Sequence, residues 1–413
     1  MEISWQILQS LEKNYGDSFY ILDLRKFENN YQEFLTSFRG IYSNSNIGYS
    51  YKTNYTPKLC QSVNFMGGYA EVVSQMEYDL AIRIGVHPSK IIFNGPFKLK
   101  KDIENAIVAG SIVNLDSSHE VSIVENLAQR LPENHKIFVG LRCNFDVGAS
   151  NTSRFGFDVE GGELTHAFNT LNQLNNCAVE GIHCHFSTPK RSVESYALRA
   201  EKMLELSNFY FQERQPRFID LGGGFFGKMS EDLRKQFDWP IPSYQEYAQA
   251  IAPQFKNQFS HNLGPELILE PGVAIVADVM KFVTKIAGVK TVRSRQLALA
   301  TGSIQNVKPT LNDKNLLMRI YKNDDLNREK LVGQLDIVGY TCMEHDCLYK
   351  GYQGEIGVGD YIVFDNVGAY TTVFKPPFIR SSPPIISYDS VMNEYELIKR
   401  RESLEDMFAT YVM

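Results

Sequence analysis

From about residue 28 to residue 270, short apolar runs of strand length alternate with stretches whose apolar residues recur at helical spacing. The strand-like runs are IGYSYK (47–52), YAEVVS (69–74), KIIFNG (90–95), SIVNLDS (111–117), KIFVGLRCN (136–144), VEGIHCHF (179–186), RFIDLGGG (217–224) and ELILEPG (266–272). Between them lie segments such as TPKLCQSVNFMG, EYDLAIRIG, KKDIENAIVAG and SYALRAEKMLELSNFYFQE. Several of these have amphipathic spacing and end at a glycine, as helices often do. Short strands that are apolar on both faces and alternate with helices imply parallel strands covered on both sides. Eight such units over roughly 245 residues match a TIM-like (β/α)8 barrel, although periodicity alone also allows an open doubly wound sheet.

After about residue 275 the rhythm changes. ADVMKFVTKIAGVKTVRS, RQLALATG, LVGQLDIVGY and GDYIVFDNVGAYTTVF read as strands joined by turns, without long helices between them. This predicts a C-terminal antiparallel β-domain or barrel. The first residues, MEISWQILQSLEKNYG, have the pattern of an amphipathic helix, and the strand FYILDL (19–24) that follows is expected to join the β-domain. The predicted division is therefore a barrel over 26–275 and a β-domain built from 1–25 and 276–413.

Composition narrows the class. The chain has 413 residues, 43% of them hydrophobic and 22% charged, ordinary for a folded globular protein. A formal charge of -6 leaves no footprint for nucleic acid. No run of about 18 apolar residues suggests a membrane span, and no secretory signal is expected. Six scattered cysteines favour reduced thiols in a cytoplasmic protein.

In a parallel α/β architecture, functional groups gather at the carboxyl ends of the strands. Lys52 ends the first run, His183 and His185 the sixth, Gly222-Gly223-Gly224 the seventh, and Glu270-Pro271-Gly272 the eighth. Gly222, Gly224 and Gly227 satisfy G-x-G-x-x-G, but they fall late in the chain and before a poor helix, so a nicotinamide site is disfavoured. A tight packing turn is the plain reading of the run. Backbone amides without Cβ atoms can also cradle a phosphate, as barrels often do after strands 7 and 8. His183 and His185 share one face of a strand and could ligate a metal, yet CxxC pairs are absent and we expect none. A phosphate cradle, a lysine amine and a carboxylate for a ring nitrogen are together what pyridoxal phosphate requires.

At this point the chain resembles a known family, the fold-type III pyridoxal-phosphate decarboxylases, which include diaminopimelate, ornithine and carboxynorspermidine decarboxylases and are distantly related to alanine racemase. YSYKTN is similar to the family's Y-A-x-K-A-N motif, AEVVSQMEYDLA to V-A-S-x-x-E and SRFGFD (153–158) to S-K-F-G. GIHCHFST, DLGGGF, EPG, CMEHD and GAY follow in order, so the likeness runs over nearly the whole chain. The resemblance implies an alanine racemase-like barrel and a cofactor held as a Schiff base on Lys52. It further implies His185 stacked on the pyridine ring, Glu270 on the ring nitrogen, and Thr188, Gly222, Gly223, Gly224, Gly272 and Tyr370 around the phosphate. Cys342 would be the general acid, and Asp346, Glu344 and Arg154 would face the substrate. Cys342 and Asp346 would come from the other subunit of a homodimer with shared active sites. A thiol can serve as that acid because its reference pKa of about 8.5 keeps it protonated near pH 7.

Two departures from the family pattern bear on function. Its E-P-G-R becomes Glu270-Pro271-Gly272-Val273, and its C-E-S-x-D becomes Cys342-Met343-Glu344-His345-Asp346. The first removes a charge-assisted hydrogen bond worth roughly 1.5–3 kcal/mol at the phosphate or at a substrate carboxylate. The second puts an apolar residue where diaminopimelate decarboxylases read the distal end of the substrate, closer to carboxynorspermidine decarboxylases and to enzymes of siderophore or carrier-bound amino acids. The expected reaction is decarboxylation of a modified, conjugated or carrier-linked amino acid, releasing carbon dioxide and an amine. The alternatives are a diaminopimelate- or carboxynorspermidine-type decarboxylase, an amino-acid racemase or epimerase, and a cofactor-binding pseudoenzyme.

Overall fold

The structure is a computed structural model that describes residues 3–148, 152–259, 264–325, 327–374 and 377–412. The chain forms two compact units. One comprises Asn30–Gly227 and Trp239–Ala274; the other comprises Met1–Asn29, Lys228–Asp238 and Ile275–Met413.

In the first unit eight parallel strands follow one another along the chain: Ser45–Ser50, Tyr69–Val72, Ile91–Phe93, Ile112–Leu115, Ile137–Asn144, Cys177–Phe186, Phe218–Gly223 and Glu266–Leu269. Each pairs with its chain neighbour, and the eighth returns to the first through Leu267↔Ser45 and Leu269↔Ile47. The sheet is thus a closed barrel and not an open doubly wound sheet. Every residue of the first four strands is buried, which explains their continuously apolar reading. The intervening helices start where short polar side chains satisfy free amides. Ser74 caps Gln75–Arg83, Ser192 caps Val193–Tyr210, and Ser243 with Glu246 forms a capping box for Tyr244–Gln258.

Tyr69, Ile92, Ile112, Phe218 and Ile268 form a buried apolar cluster, four of them at the first or second residue of a strand. This plug fills the amino end of the barrel. Further along the same strands, Glu71, Asn94, Asn114, Asp220 and Glu270 are buried polar residues. The interior therefore changes from apolar to polar toward the carboxyl ends.

In the second unit Ser18–Asp23 pairs antiparallel with the long strand Met280–Val292 and parallel with Ile385–Asp389. Met280–Val292 also pairs with Arg295–Ala300 and Tyr361–Phe364. The helix Trp5–Tyr15 contributes Leu8 and Leu11 to a core with Phe19, Ile21, Val283, Val363 and Ile386. The sheet is mostly antiparallel, with two parallel pairings that the sequence pattern did not announce. The second joins Arg295–Ala300 to Lys330–Val338, and it follows from the long excursion between them. No helix of the described residues is long and apolar enough to cross a membrane.

Candidate active site

Lys52 lies in the single turn Tyr51–Thr53 that follows the first barrel strand, between the buried Tyr51 and Thr53. Its side chain is 29% exposed, and its Nζ sits 2.9 and 3.1 Å from the two oxygens of Glu71, which is fully buried on the second strand. The costly position of the lysine charge is thus answered by a carboxylate on the neighbouring strand. Asn94, just past the third strand, extends the contact. Its amide donates to Glu71 Oε1 and to Glu270 Oε1, and it accepts a bond from Asn114 Nδ2 (2.8 Å). Lys52 and Glu270 are therefore linked through two buried side chains.

Glu270 follows the eighth strand and is 1% exposed. His185 Nδ1 lies 2.8 Å from Glu270 Oε2, and His183 Nε2 lies 3.4 Å from Oε1. Burial alone would raise the Glu270 carboxyl, but the two imidazoles hold it well below the usual carboxylate range. His185 is pushed down to about 4, first by burial and then by the charge of Lys52, so its ring is neutral near pH 7. Asp220, on the seventh strand, moves the other way. Burial, reinforced by the Glu270 and Glu71 charges, pushes its carboxyl well above its usual range. The Asp220 and Glu270 carboxyl groups are thus driven in opposite directions at this end of the barrel. His183, His185 and Glu270 lie close enough to suit a metal ion, all within 4.8 Å. The hydrogen bond between His185 and Glu270, however, already engages two of those donors.

The glycines belong to the same site. A Cβ on Gly222 would lie 2.2 Å from Glu270 Oε2 and 2.3 Å from His185 Nδ1, so the pair packs directly on that backbone. Gly223 has φ +139°, and a Cβ there would meet Arg199 Nη1 at 2.5 Å. Gly272 lies against Thr53 and Ser50 with no room for a Cβ. Thr188 Oγ1 accepts a 3.3 Å bond from Arg199 Nη2. Arg154 is exposed, its guanidinium 4.2 Å above the ring of Phe155.

In the β unit Cys342 and Glu344 are exposed, beside a cleft of about 390 Å³ that Lys290, Tyr340 and Met343 help to line. Asp346 is buried, and its carboxylate accepts bonds from the amides of Ile304 (2.7 Å) and Thr341 (3.0 Å) and from the Thr341 hydroxyl (2.6 Å). It shapes the loop that carries Cys342. Tyr370 has φ +68°, a conformation uncommon for a residue with a side chain.

The barrel residues fit pyridoxal phosphate on their own chemistry. An amine stands at a strand end, an ionised buried carboxylate is available for a ring nitrogen, and a neutral imidazole lies beside it. The glycine turn between them leaves no room for side chains, as a backbone cradle requires. The structure brings Lys52, His185, Glu270 and the glycines, which the sequence singled out, together with Glu71, Asn94, Asn114, Asp220 and Arg199, which it did not. Four of those five carried a signal: each is a polar residue inside or at the end of an apolar strand run.

Comparison with known proteins agrees. Residues 24–277 match the family model for the pyridoxal-binding domain of pyridoxal-dependent decarboxylases. The chain is 24% identical to the diaminopimelate decarboxylase of Aquifex aeolicus, covering 96% of this chain and 92% of that one. It is 27% identical to the enzyme of the same name from Haemophilus influenzae, covering 97% and 95%. Among solved structures, the diaminopimelate decarboxylase of M. jannaschii superposes with a TM-score of 0.84 at 23% identity over 98% of this chain and 94% of that one. The arginine decarboxylase of Paramecium bursaria Chlorella virus gives 0.73 at 21% over 90% and 96%. With a lysine, an anionic glutamate and a neutral histidine arranged at the carboxyl end of the barrel, and a family model matched over most of the chain, this protein belongs to the pyridoxal-phosphate-dependent decarboxylases.

Proposed function

We propose that the enzyme decarboxylates an amino acid whose distal end is modified, conjugated or carrier-linked, releasing carbon dioxide and an amine. Bound pyridoxal phosphate supplies an electron sink for the pair left behind when the bond from Cα to the carboxylate breaks. The chain's own residues prepare that event. Lys52 is the amine that carries the cofactor, and Glu71 fixes its position through a charge-assisted contact. Glu270 remains ionised while buried, so it can hold a proton on a ring nitrogen at neutral pH. His185 is neutral and can lie on a cationic ring without repelling it. Cys342, reaching the site from a partner subunit of a homodimer, would return a proton to Cα, with Glu344 and Arg154 on the substrate side and Thr188, Gly272 and Tyr370 near the phosphate. The buried Asp346, whose carboxylate is taken up by Ile304 and Thr341, holds the Cys342 loop in place of the substrate contact expected of it.

The observation that carries the substrate reading is Met343 directly after Cys342, beside the cleft lined by Lys290 and Tyr340. A thioether there cannot pair with the distal ammonium of free diaminopimelate. A second reading keeps diaminopimelate itself, because the full-length relatives carry that name. The test is carbon dioxide release from a panel of diaminopimelate, ornithine, lysine, carboxynorspermidine and amino-acid conjugates, in both configurations at Cα. A conjugate turned over at least about tenfold better than free diaminopimelate in kcat/KM, or about 1.4 kcal/mol in the barrier, supports the proposal. The opposite ranking establishes the second reading. Inversion at Cα without carbon dioxide release would make the protein a racemase.

A further inference from the structure

Val273 leaves the phosphate end of this site without the arginine that its family pattern places there, and two arginines, one on a helix and one in the loop before it, stand beside the glycine turn. Arg199, on the helix Val193–Tyr210, is 1% exposed. Among the described residues its guanidinium bonds only to neutral acceptors: Gly222 O at 3.4 Å, Thr188 Oγ1 at 3.3 Å and Ser195 Oγ at 3.1 Å. It stacks 4.3 Å from the ring centre of Tyr196, and among the described residues its Nε has no hydrogen-bond partner and its charge no carboxylate. Arg191, in the loop before that helix, packs against the same glycine turn, with its Nε 3.0 Å from where a Cβ of Gly224 would be. It too has no carboxylate partner among the described residues.

A buried guanidinium without an anion is expensive to fold, so such a group is retained where an anion arrives later. Nη1 reaches Gly222 and Nη2 reaches Thr188, so the unpaired charge is centred on the backbone turn that suits a phosphate. Its planar donors match phosphate oxygens as well as they match a carboxylate.

We propose that Arg199, assisted by Arg191, provides the positive charge that binds the cofactor phosphate, in place of the arginine absent at Val273. The inference rests on the pyridoxal-phosphate assignment and adds the residues that discriminate the phosphorylated cofactor from its dephosphorylated form.

The test titrates apo enzyme with pyridoxal phosphate and with pyridoxal, following cofactor absorbance, for the wild type, Arg199→Met and Arg199→Lys. The expected result is that Arg199→Met binds pyridoxal phosphate about 10- to 100-fold more weakly while its affinity for pyridoxal is unchanged, with Arg199→Lys between. A second readout separates this from a packing role. Removal of an uncompensated buried charge should leave the apo melting temperature unchanged or raised, and shrink the rise that pyridoxal phosphate produces. If Arg199→Met keeps the wild-type preference for pyridoxal phosphate over pyridoxal, or if its apo form melts lower and both cofactors weaken together, the proposal is wrong. If the wild type binds neither compound, the cofactor assignment itself fails, and the inference falls with it.

Discussion

Glu71, Asp220 and Glu270 are three buried carboxyl groups in one small space, and burial opposes the charge of all three. Two of them have basic partners. Glu71 meets the lysine ammonium, and Glu270 meets two imidazoles. Burial and the neighbouring Glu270 and Glu71 charges push the Asp220 carboxyl well above its usual range. The sign of its effect on stability follows. Its folded-state pKa is raised, so its contribution is fully present below the ordinary carboxylate range and is lost as pH rises toward the shifted value. In the apo protein Asp220→Asn is therefore expected to melt about 2 °C or more above the wild type at pH 8, with the difference fading near pH 4. Thermal melts of both proteins across that range check it; a variant that melts lower at pH 8 would mean that Asp220 is ionised and paired. These residues were visible in the sequence only as oddities. An apolar run that is buried on both faces has no reason to carry Glu71, Asn94, Asn114 or Asp220 unless the barrel interior is polar at that level. Arg199 gave no such sign, since an arginine on a helix is ordinarily a solvated residue.

Among the elements, the seventh strand and the turn that ends it carry the tightest constraint. Gly222 is a glycine because Glu270 and His185 occupy the space a methyl group would need. Gly222→Ala should push that pair apart, weaken pyridoxal phosphate binding by more than about tenfold and destabilise the fold by about 1–3 kcal/mol. Cofactor titration with a denaturant melt measures both, and wild-type affinity in this variant would mean that the pair does not depend on the turn. The eight barrel strands were legible because each is apolar on both faces and short. The strands Met318–Tyr321, Cys347–Gly357 and Glu394–Lys399 were not, because much of each is exposed or partly exposed and the runs carry charged residues or glycines. Alternation fades in such strands and local sequence no longer identifies them.

For the whole molecule, length and rhythm revealed a barrel followed by a β-rich unit, since after the eighth strand the described helices are no longer than five residues. They could not reveal that Lys228–Asp238, which leaves the barrel after the glycine turn, belongs to the β-rich unit. That membership depends on contacts distant in sequence, such as the paired bonds between the Gln236 side chain and the backbone of Asn315. Closure of the sheet was likewise beyond periodicity, because it is decided by the pairing of the first strand with the eighth, more than two hundred residues apart. The chemistry proposed for the molecule needs the cofactor on one particular amine. Borohydride reduction of the cofactor-loaded enzyme, followed by digestion and mass spectrometry, tests this most directly. The account predicts one added cofactor on the peptide containing Lys52 and none in Lys52→Met. A label on another lysine, or a wild-type protein that releases all its cofactor after reduction, would contradict it.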